Sequence, residues 1–314
     1  MMKLLLSKPR GFCAGVDRAI YTVEEALKLW GAPIYVKHEI VHNRHVVQRL
    51  KDKGAVFIED LEDVPVGARL IYSAHGVSPA VREHARLRKL IEIDATCGLV
   101  TRVHSAVKRF AAQGYQIILI GHRDHVEIVG TAGEAPSVTT IVESIDDIKN
   151  LRFSDQDKLF YITQTTLSLD DVKEITEALI AKYPKIETLP SSSICYATTN
   201  RQMALREITD LTDLVLVVGD PQSSNSNRLR EVASKRGIQS YLINDESEIQ
   251  PEWLSGKQII GLTAGASTPE EMVQRCIMRL TELGVCDVED VVYTHEDVVF
   301  QLPKPIVNAR FNLA

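Results

Sequence analysis

One arrangement returns three times along the 314-residue chain and limits what it can fold into: an apolar run, a loop holding one cysteine, then an amphipathic helical pattern. The first copy is Leu4-Leu5-Leu6 followed by Lys8-Pro9-Arg10-Gly11-Phe12-Cys13-Ala14-Gly15-Val16-Asp17-Arg18. The second is Ile93-Asp94-Ala95-Thr96-Cys97-Gly98, leading into a pattern with Val100, Val103, Val107, Phe110 and Ala111 on one face. The third is Ser192-Ser193-Ile194-Cys195-Tyr196-Ala197-Thr198-Thr199-Asn200, leading into residues 201–211. Gly11 and Gly15 let the backbone turn tightly and let a bulky group approach the sulfur of Cys13. A cysteine at a helix N-terminus sits where the dipole favours thiolate, the form that binds metal.

Taking each cysteine as an origin exposes a repeat. A polar loop after a strand follows at nearly the same distance each time: His42 after Cys13, His125 after Cys97, Ser223 after Cys195. A second strand-end loop follows, with His75, Thr165 and Ser267 in corresponding places. These second loops read Tyr72-Ser73-Ala74-His75-Gly76-Val77-Ser78-Pro79, Ile162-Thr163-Gln164-Thr165-Thr166-Leu167-Ser168 and Leu262-Thr263-Ala264-Gly265-Ala266-Ser267-Thr268-Pro269. Each opens a helix: Ser78, Ser168 and Thr268 are expected N-caps, with Thr268 and Glu271 spaced as a capping box.

Between these loops, short β-branched runs alternate with helix-length segments. Strands are predicted at 34–36, 56–58, 70–72, 91–93, 116–120, 139–142, 158–162, 214–218, 240–243 and 258–262. Such alternation reads as α/β with parallel sheets, in which ligands gather at the carboxyl ends of strands. The simplest architecture is three similar α/β modules, mainly parallel, in a pseudo-threefold trefoil with one cysteine per module near the centre. The expected division is 1–13 (N-terminal strand and first cysteine loop), 14–96, 97–194, 195–283, and a tail at 284–314 that breaks the pattern.

Composition excludes several classes. A net charge of -6 offers no basic surface for nucleic acid. No apolar run approaches membrane-span length, and 4–6 is too short for a signal peptide, so a cytoplasmic protein is expected. Five cysteines, an odd number without Cys-x-x-Cys spacing, argue against a disulfide framework and for metal or catalytic use. Cys276 shares a helical stripe with Val273, Ile277 and Leu280 and is expected in the core; Cys286 has no motif around it.

Three converging thiolates leave three options open: zinc, a disulfide plus a spare thiol, or an iron–sulfur cluster. Structural zinc takes four ligands from local pairs, which are missing here. A 4Fe–4S cluster on three cysteines leaves one iron open as a Lewis acid. Around the cysteines, His42-Asn43, His75, His122 with His125, and Ser223-Ser224-Asn225-Ser226-Asn227 supply short donors at strand ends, suited to a doubly charged anion. His38 and His45 read as exposed neighbours, and zinc on His122 and His125 lacks a third ligand. Glu127 is the one carboxylate in a site loop at a telling place, a proton donor with Thr165 and Thr166 to orient or pass that proton. The competing reading, a first-turn helix carboxylate favoured by the dipole, is equally open. Asp17 and Asp94 read as structural.

The runs Pro9-Arg10-Gly11-Phe12-Cys13-Ala14-Gly15-Val16-Asp17-Arg18-Ala19-Ile20, Ser73-Ala74-His75-Gly76-Val77-Ser78, His42-Asn43-Arg44, Asp94-Ala95-Thr96-Cys97, Thr163-Gln164-Thr165-Thr166-Leu167-Ser168, Cys195-Tyr196-Ala197-Thr198-Thr199-Asn200-Arg201, Ser223-Ser224-Asn225-Ser226-Asn227-Arg228 and Thr263-Ala264-Gly265-Ala266-Ser267 closely resemble the LytB-type 4-hydroxy-3-methylbut-2-enyl diphosphate reductases. These are the last enzymes of the non-mevalonate isoprenoid pathway. The resemblance runs from Leu4 to about Leu283. It implies an oxygen-sensitive 4Fe–4S cluster on Cys13, Cys97 and Cys195, with the substrate alcohol on the open iron. It implies a diphosphate held by His42, His75, His125, Ser223, Ser224, Asn225 and Ser267, with Thr166 among the substrate contacts. Glu127 and Thr165 would handle proton delivery, and a ferredoxin or flavodoxin would supply two electrons. Two departures stand out: Gly98 where proline is expected, and Val126 in place of the proline of a His-Pro-Glu run. Two other classes fit the same cysteines, a hydro-lyase or dehydratase without electron input and a non-catalytic cluster sensor. A sensor has no need of Glu127 and the threonine pair.

Overall fold

The computed structural model describes residues 2–153 and 155–312, so the outermost limits of the first and last expected segments lie outside it. In chain order the strands are β1 (Met2–Lys8), β2 (Ile34–Lys37), β3 (Ala55–Ile58), β4 (Arg69–Tyr72), β5 (Ile91–Asp94), β6 (Gln116–Ile120), β7 (Thr139–Val142), β8 (Leu159–Thr163), β9 (Leu214–Val218), β10 (Gln239–Ile243), β11 (Ile259–Ala264) and β12 (Val285–Val292). The α-helices are α1 (Ala14–Trp30), α2 (Arg44–Asp52), α3 (Pro79–Leu87), α4 (Gly98–Ala112), α5 (Val126–Ala132), α6 (Ile145–Asn150), α7 (Leu169–Lys182), α8 (Tyr196–Thr209), α9 (Ser224–Lys235), α10 (Glu270–Glu282) and α11 (Lys304–Phe311). The strands form three sheets, ordered β10-β9-β11-β1-β12, β3-β2-β4-β5 and β7-β6-β8. Every ladder between them is parallel. Among the described residues no helix is long and apolar enough to cross a membrane.

The chain divides into two compact units, and the first gathers Met1–Ala14, His42–Val46 and Cys195–Val299. Its sheet is buried on both faces, because a parallel sheet needs helices on each side. Leu4, Leu6, Leu216 and Leu262 point to one side and pack with Met272, Val273, Cys276 and Leu280 of α10. Leu5, Val215 and Val217 point to the other and meet Leu205 and Ile208 of α8 and Leu229 and Val232 of α9. Cys276 is wholly buried, as its stripe predicts, and burial pushes its thiol up to about 12. The N-terminal strand sits between β11 and β12, with Leu4 opposite both Ile260 and Val288.

The second unit gathers Gly15–Val41, Val47–Ile194 and Phe300–Ala314, and holds the other two sheets. Here too the alternating strand residues divide between two faces: Ile118 and Ile120 pack under α6 and α7, while Ile117 and Leu119 pack with Val103 and Val107 of α4. Phe110 stacks on Phe160 with ring centroids 3.7 Å apart.

Each predicted strand has its counterpart, and Ser78 and Ser168 cap α3 and α7 through Val81 N and Asp171 N. Two expectations need correction. Thr268 does not cap α10; its hydroxyl donates to the carbonyl of Val218 at 2.9 Å, and Pro269 occupies the cap without a side-chain bond. The residues after Leu283, read as a tail, supply β12 and α11. Ile306 of α11 is fully buried, and Arg310 pairs with Glu25 of α1 at 2.8 Å.

Candidate active site

In the first unit, the Cys13 loop leaves β1 through Gly11, whose φ of +69° suits glycine and whose α-carbon faces the carbonyl of Thr268; a β-carbon there would stand 3.1 Å from that oxygen. The loop is laced to the end of β11 by Gly11 N to Ala264 O and Cys13 N to Ala266 O. Cys195 caps α8, its sulfur accepting from Thr198 N at 3.3 Å with the Thr198 hydroxyl 3.1 Å away. That is the setting in which a helix N-terminus stabilises thiolate.

The same unit carries a cluster of small polar side chains at the start of α9, where the positive end of the helix dipole favours an anion. Ser223 caps the helix through Ser226 N, Ser224 opens it, and the Ser267 hydroxyl lies 3.5 Å from that of Ser223. Ser267 also donates to the carbonyl of His42 at 2.9 Å, which brings His42 beside the serines. Asn225 is buried: its amide oxygen accepts from Ala266 N at 2.8 Å, and its amide nitrogen, which carries two hydrogens, lies 3.4 Å from the Thr198 hydroxyl. Asn43 caps α2 through His45 N and Val46 N, and Arg44 N is held by Asp220.

In the second unit, Cys97 caps α4 without a side-chain bond, and its N–H donates to Ala74 O at 2.9 Å, next to His75. Arg18 steadies this loop by donating to the carbonyls of Asp94 and Thr96. Asp94 is structural, as read from the sequence. Burial pushes its carboxyl up, but hydrogen bonds from Thr96 and the Arg82 guanidinium outweigh that and hold it below the usual carboxylate range. Gly98 faces the ring of Phe300, where a β-carbon would come within 3.4 Å of the ring edge.

The rings of His75 and His125 meet edge to face with centroids 5.9 Å apart. His125 caps α5 with its ring: Nδ1 accepts from Glu127 N at 3.1 Å. A neutral ring whose Nδ1 accepts carries its proton on Nε2, so His125 is left as a donor there.

Glu127 is only 2% exposed, and Thr165 holds it with its backbone N–H at 2.7 Å and its hydroxyl at 2.9 Å. Burial raises its carboxyl above the ordinary range; the two bonds from Thr165 and the charge of His104 pull the other way without winning. The dipole reading alone does not account for a sealed carboxyl with a dedicated threonine partner. Thr166 accepts from the Gln164 amide at 3.1 Å. His122 instead faces Glu143, and among the described residues no three His, Cys, Asp or Glu side chains form a single-ion site.

Sequence reasoning missed two buried ionisable groups. His104 of α4 meets Glu134 through Nδ1 at 2.8 Å, and both line a polar cavity of about 180 Å³ with Arg82, Thr101 and Lys108. Arg201 of α8 is 1% exposed. A charged residue on a helix buried on nearly every side was the available signal, since such a group needs a partner.

None of the five cysteines is in a disulfide, and Cys13, Cys97 and Cys195 are half-buried. Thiols at helix starts are soft donors, suited to iron–sulfur or zinc chemistry and not to a hard cation.

A family model described as LytB protein matches residues 4–281. A curated relative from Protochlamydia amoebophila, named 4-hydroxy-3-methylbut-2-enyl diphosphate reductase, is 86% identical over 312 residues, 99% of this chain and 100% of its own length. One of the same name from Chlamydia trachomatis serovar D is 62% identical over 307 residues, 98% of this chain and all of its own. Among solved structures, the E-1-hydroxy-2-methyl-but-2-enyl-4-diphosphate reductase from Plasmodium falciparum is similar with a TM-score of 0.97 and 48% identity, over 99% of this chain and 98% of that one. Another, described as the terminal enzyme of the non-mevalonate pathway, has a TM-score of 0.63 and 31% identity, over 90% of this chain and all of that one.

Proposed function

The chain belongs to the LytB family, and we infer that it is an oxidoreductase that reductively removes the hydroxyl of (E)-4-hydroxy-3-methylbut-2-enyl diphosphate. Two electrons and two protons enter and the allylic C–O bond breaks. One proton leaves in water and the other ends on carbon, giving isopentenyl and dimethylallyl diphosphates. The observation that carries the reading at the level of residues is the sealed Glu127–Thr165 pair, a carboxyl kept toward its neutral form in a site loop. A general acid near its working pH is what the departing hydroxyl needs.

Cys13, Cys97 and Cys195 are assigned as ligands of a 4Fe–4S cluster, which when bound supplies the electrons and an iron open to the substrate oxygen. Glu127 gives its proton to the leaving oxygen, and Thr165 orients the carboxyl. His125 accepts from Glu127 N through Nδ1, which turns Nε2 into the donor end of the ring. The diphosphate is assigned to Ser223, Ser224, Asn225, Ser267 and His42 of the first unit, with His75, His125 and Thr166 of the second. Backbone N–H groups at the start of α9 and the neighbouring hydroxyls suit its charge. A ferredoxin or flavodoxin is the assigned electron donor, and the cytoplasm the assigned compartment.

The test is anaerobic reconstitution with iron and sulfide, followed by turnover with reduced viologen. A brown protein that oxidises viologen only when the allylic diphosphate is added supports the assignment. Turnover without reductant would make it a hydro-lyase, and colour without turnover a sensor.

A further inference from the structure

Arg201 is the bulkiest of the fully buried side chains, and every nitrogen of its guanidinium is engaged. Nε and Nη2 donate to the carbonyl of Gly11 at 3.0 and 2.8 Å, and Nη2 also reaches the carbonyl of Phe12 at 3.1 Å. Nη1 donates to the carbonyl of Ala197 at 3.0 Å and to both oxygens of Glu296 at 3.1 Å. The Asn200 amide holds the same carboxylate at 2.9 Å. One planar fork therefore joins the two carbonyls just before Cys13, the carbonyl two residues after Cys195, and a carboxylate beyond β12. Lysine has one nitrogen and no fixed plane, and cannot make this set of bonds.

Burying a cation this deeply is unfavourable unless its geometry serves something. What it touches is the backbone leading into one thiol and out of another. We propose that Arg201, locked by Glu296, is a positioning residue that sets the Cys13 loop against the start of α8, so that two of the three thiolates are pre-spaced for an iron–sulfur cluster. The proposal rests on the cluster assignment above. It goes beyond that assignment in naming groups that are not ligands and touch no substrate. Outer partners of metal ligands act in this way, by orienting what they hold.

The test uses the reconstituted full chain with Arg201→Lys and Glu296→Gln, and Leu280→Ala as a control that weakens the same unit far from the loops. Two readouts are taken: the rate of iron loss to a ferrous chelator, and the electron paramagnetic resonance spectrum of the reduced cluster. Both variants are expected to lose iron about 10-fold faster or more, the usual scale for an outer partner. Both should also show shifted spectra, while Leu280→Ala lowers the melting temperature and keeps the parent spectrum. If Arg201→Lys does not fold, Glu296→Gln decides alone, since Gln keeps the shape and removes the charge. Parent-like iron loss and spectrum in the folded variants, with the parent loaded, overturn the proposal. A parent that takes up no cluster overturns the assignment beneath it instead.

Discussion

Thr165 holds Glu127 at both oxygens with two chemically different groups: its backbone N–H reaches Oε1 at 2.7 Å and its hydroxyl reaches Oε2 at 2.9 Å. An N–H can only donate, so Oε1 stays unprotonated. A hydroxyl can donate or accept, so it can reverse when Oε2 takes a proton. A proton taken up by Glu127 is therefore placed on Oε2. Thr165→Val keeps the N–H and the shape but removes the hydroxyl. Turnover should fall by about 10- to 100-fold, and Thr165→Ser should recover most of it. Equal rates for the Val and Ser variants would show that the hydroxyl has no part in the reaction.

Glu127→Gln preserves volume and still bonds the Thr165 N–H, but it has no proton to give. Turnover should drop by about 100-fold or more, with iron content and substrate affinity held. A variant that turns over at the parent rate would remove Glu127 from the chemistry.

The same carboxyl leaves a signature in stability. Burial raises its folded-state pKa above the unfolded value, so folding favours the protonated form. That contribution is fully present below the unfolded pKa and is lost as pH rises through the folded one. Glutamine does not titrate. The denaturant midpoint of the parent should therefore decline relative to Glu127→Gln as pH is raised from about 4 to about 9, both measured without cluster. A constant difference across that range would mean that Glu127 is not shifted upward.

What could be read from residues alone divides along a physical line. The cysteine loops, the strand-end donors and the strands from β2 to β11 were legible because each is a local pattern of turn residues and β-branched runs. β12 was not, because Asp287, Glu289 and Asp290 make it look like solvated tail. In the sheet, Glu289 faces Lys3 at 2.5 Å and Asp290 faces Lys8 at 2.7 Å, a charged edge tolerated because nothing covers it. The cap expected at Thr268 failed for a related reason: its buried hydroxyl donates to the carbonyl of Val218, which also accepts from Gly265 N, and leaves its own helix uncapped. Arg201, Glu296, His104 and Glu134 are defined by partners 30 to 190 residues away, and no window along the chain contains both halves.

His104 provides the last prediction. Its Nδ1 faces Glu134, and the bare α-carbon of Gly76 keeps the other side of the ring clear, since a β-carbon there would stand 3.1 Å from Nε2. When the ring is protonated, its charge is one of the influences holding the Glu127 carboxyl down against burial. His104→Gln removes the charge, so Glu127 should keep its proton to higher pH and the alkaline fall in turnover should move upward. The single variant also leaves the half-buried Glu134 without its ring partner, a loss of about 1–3 kcal/mol in stability. Adding Glu134→Gln should restore the stability, because neither charge remains. It should not return the pH profile, because the cation facing Glu127 is still absent. Turnover against pH and denaturant midpoints for the single and double variants separate the two effects. A profile that recovers together with stability would mean that His104 acts on packing alone.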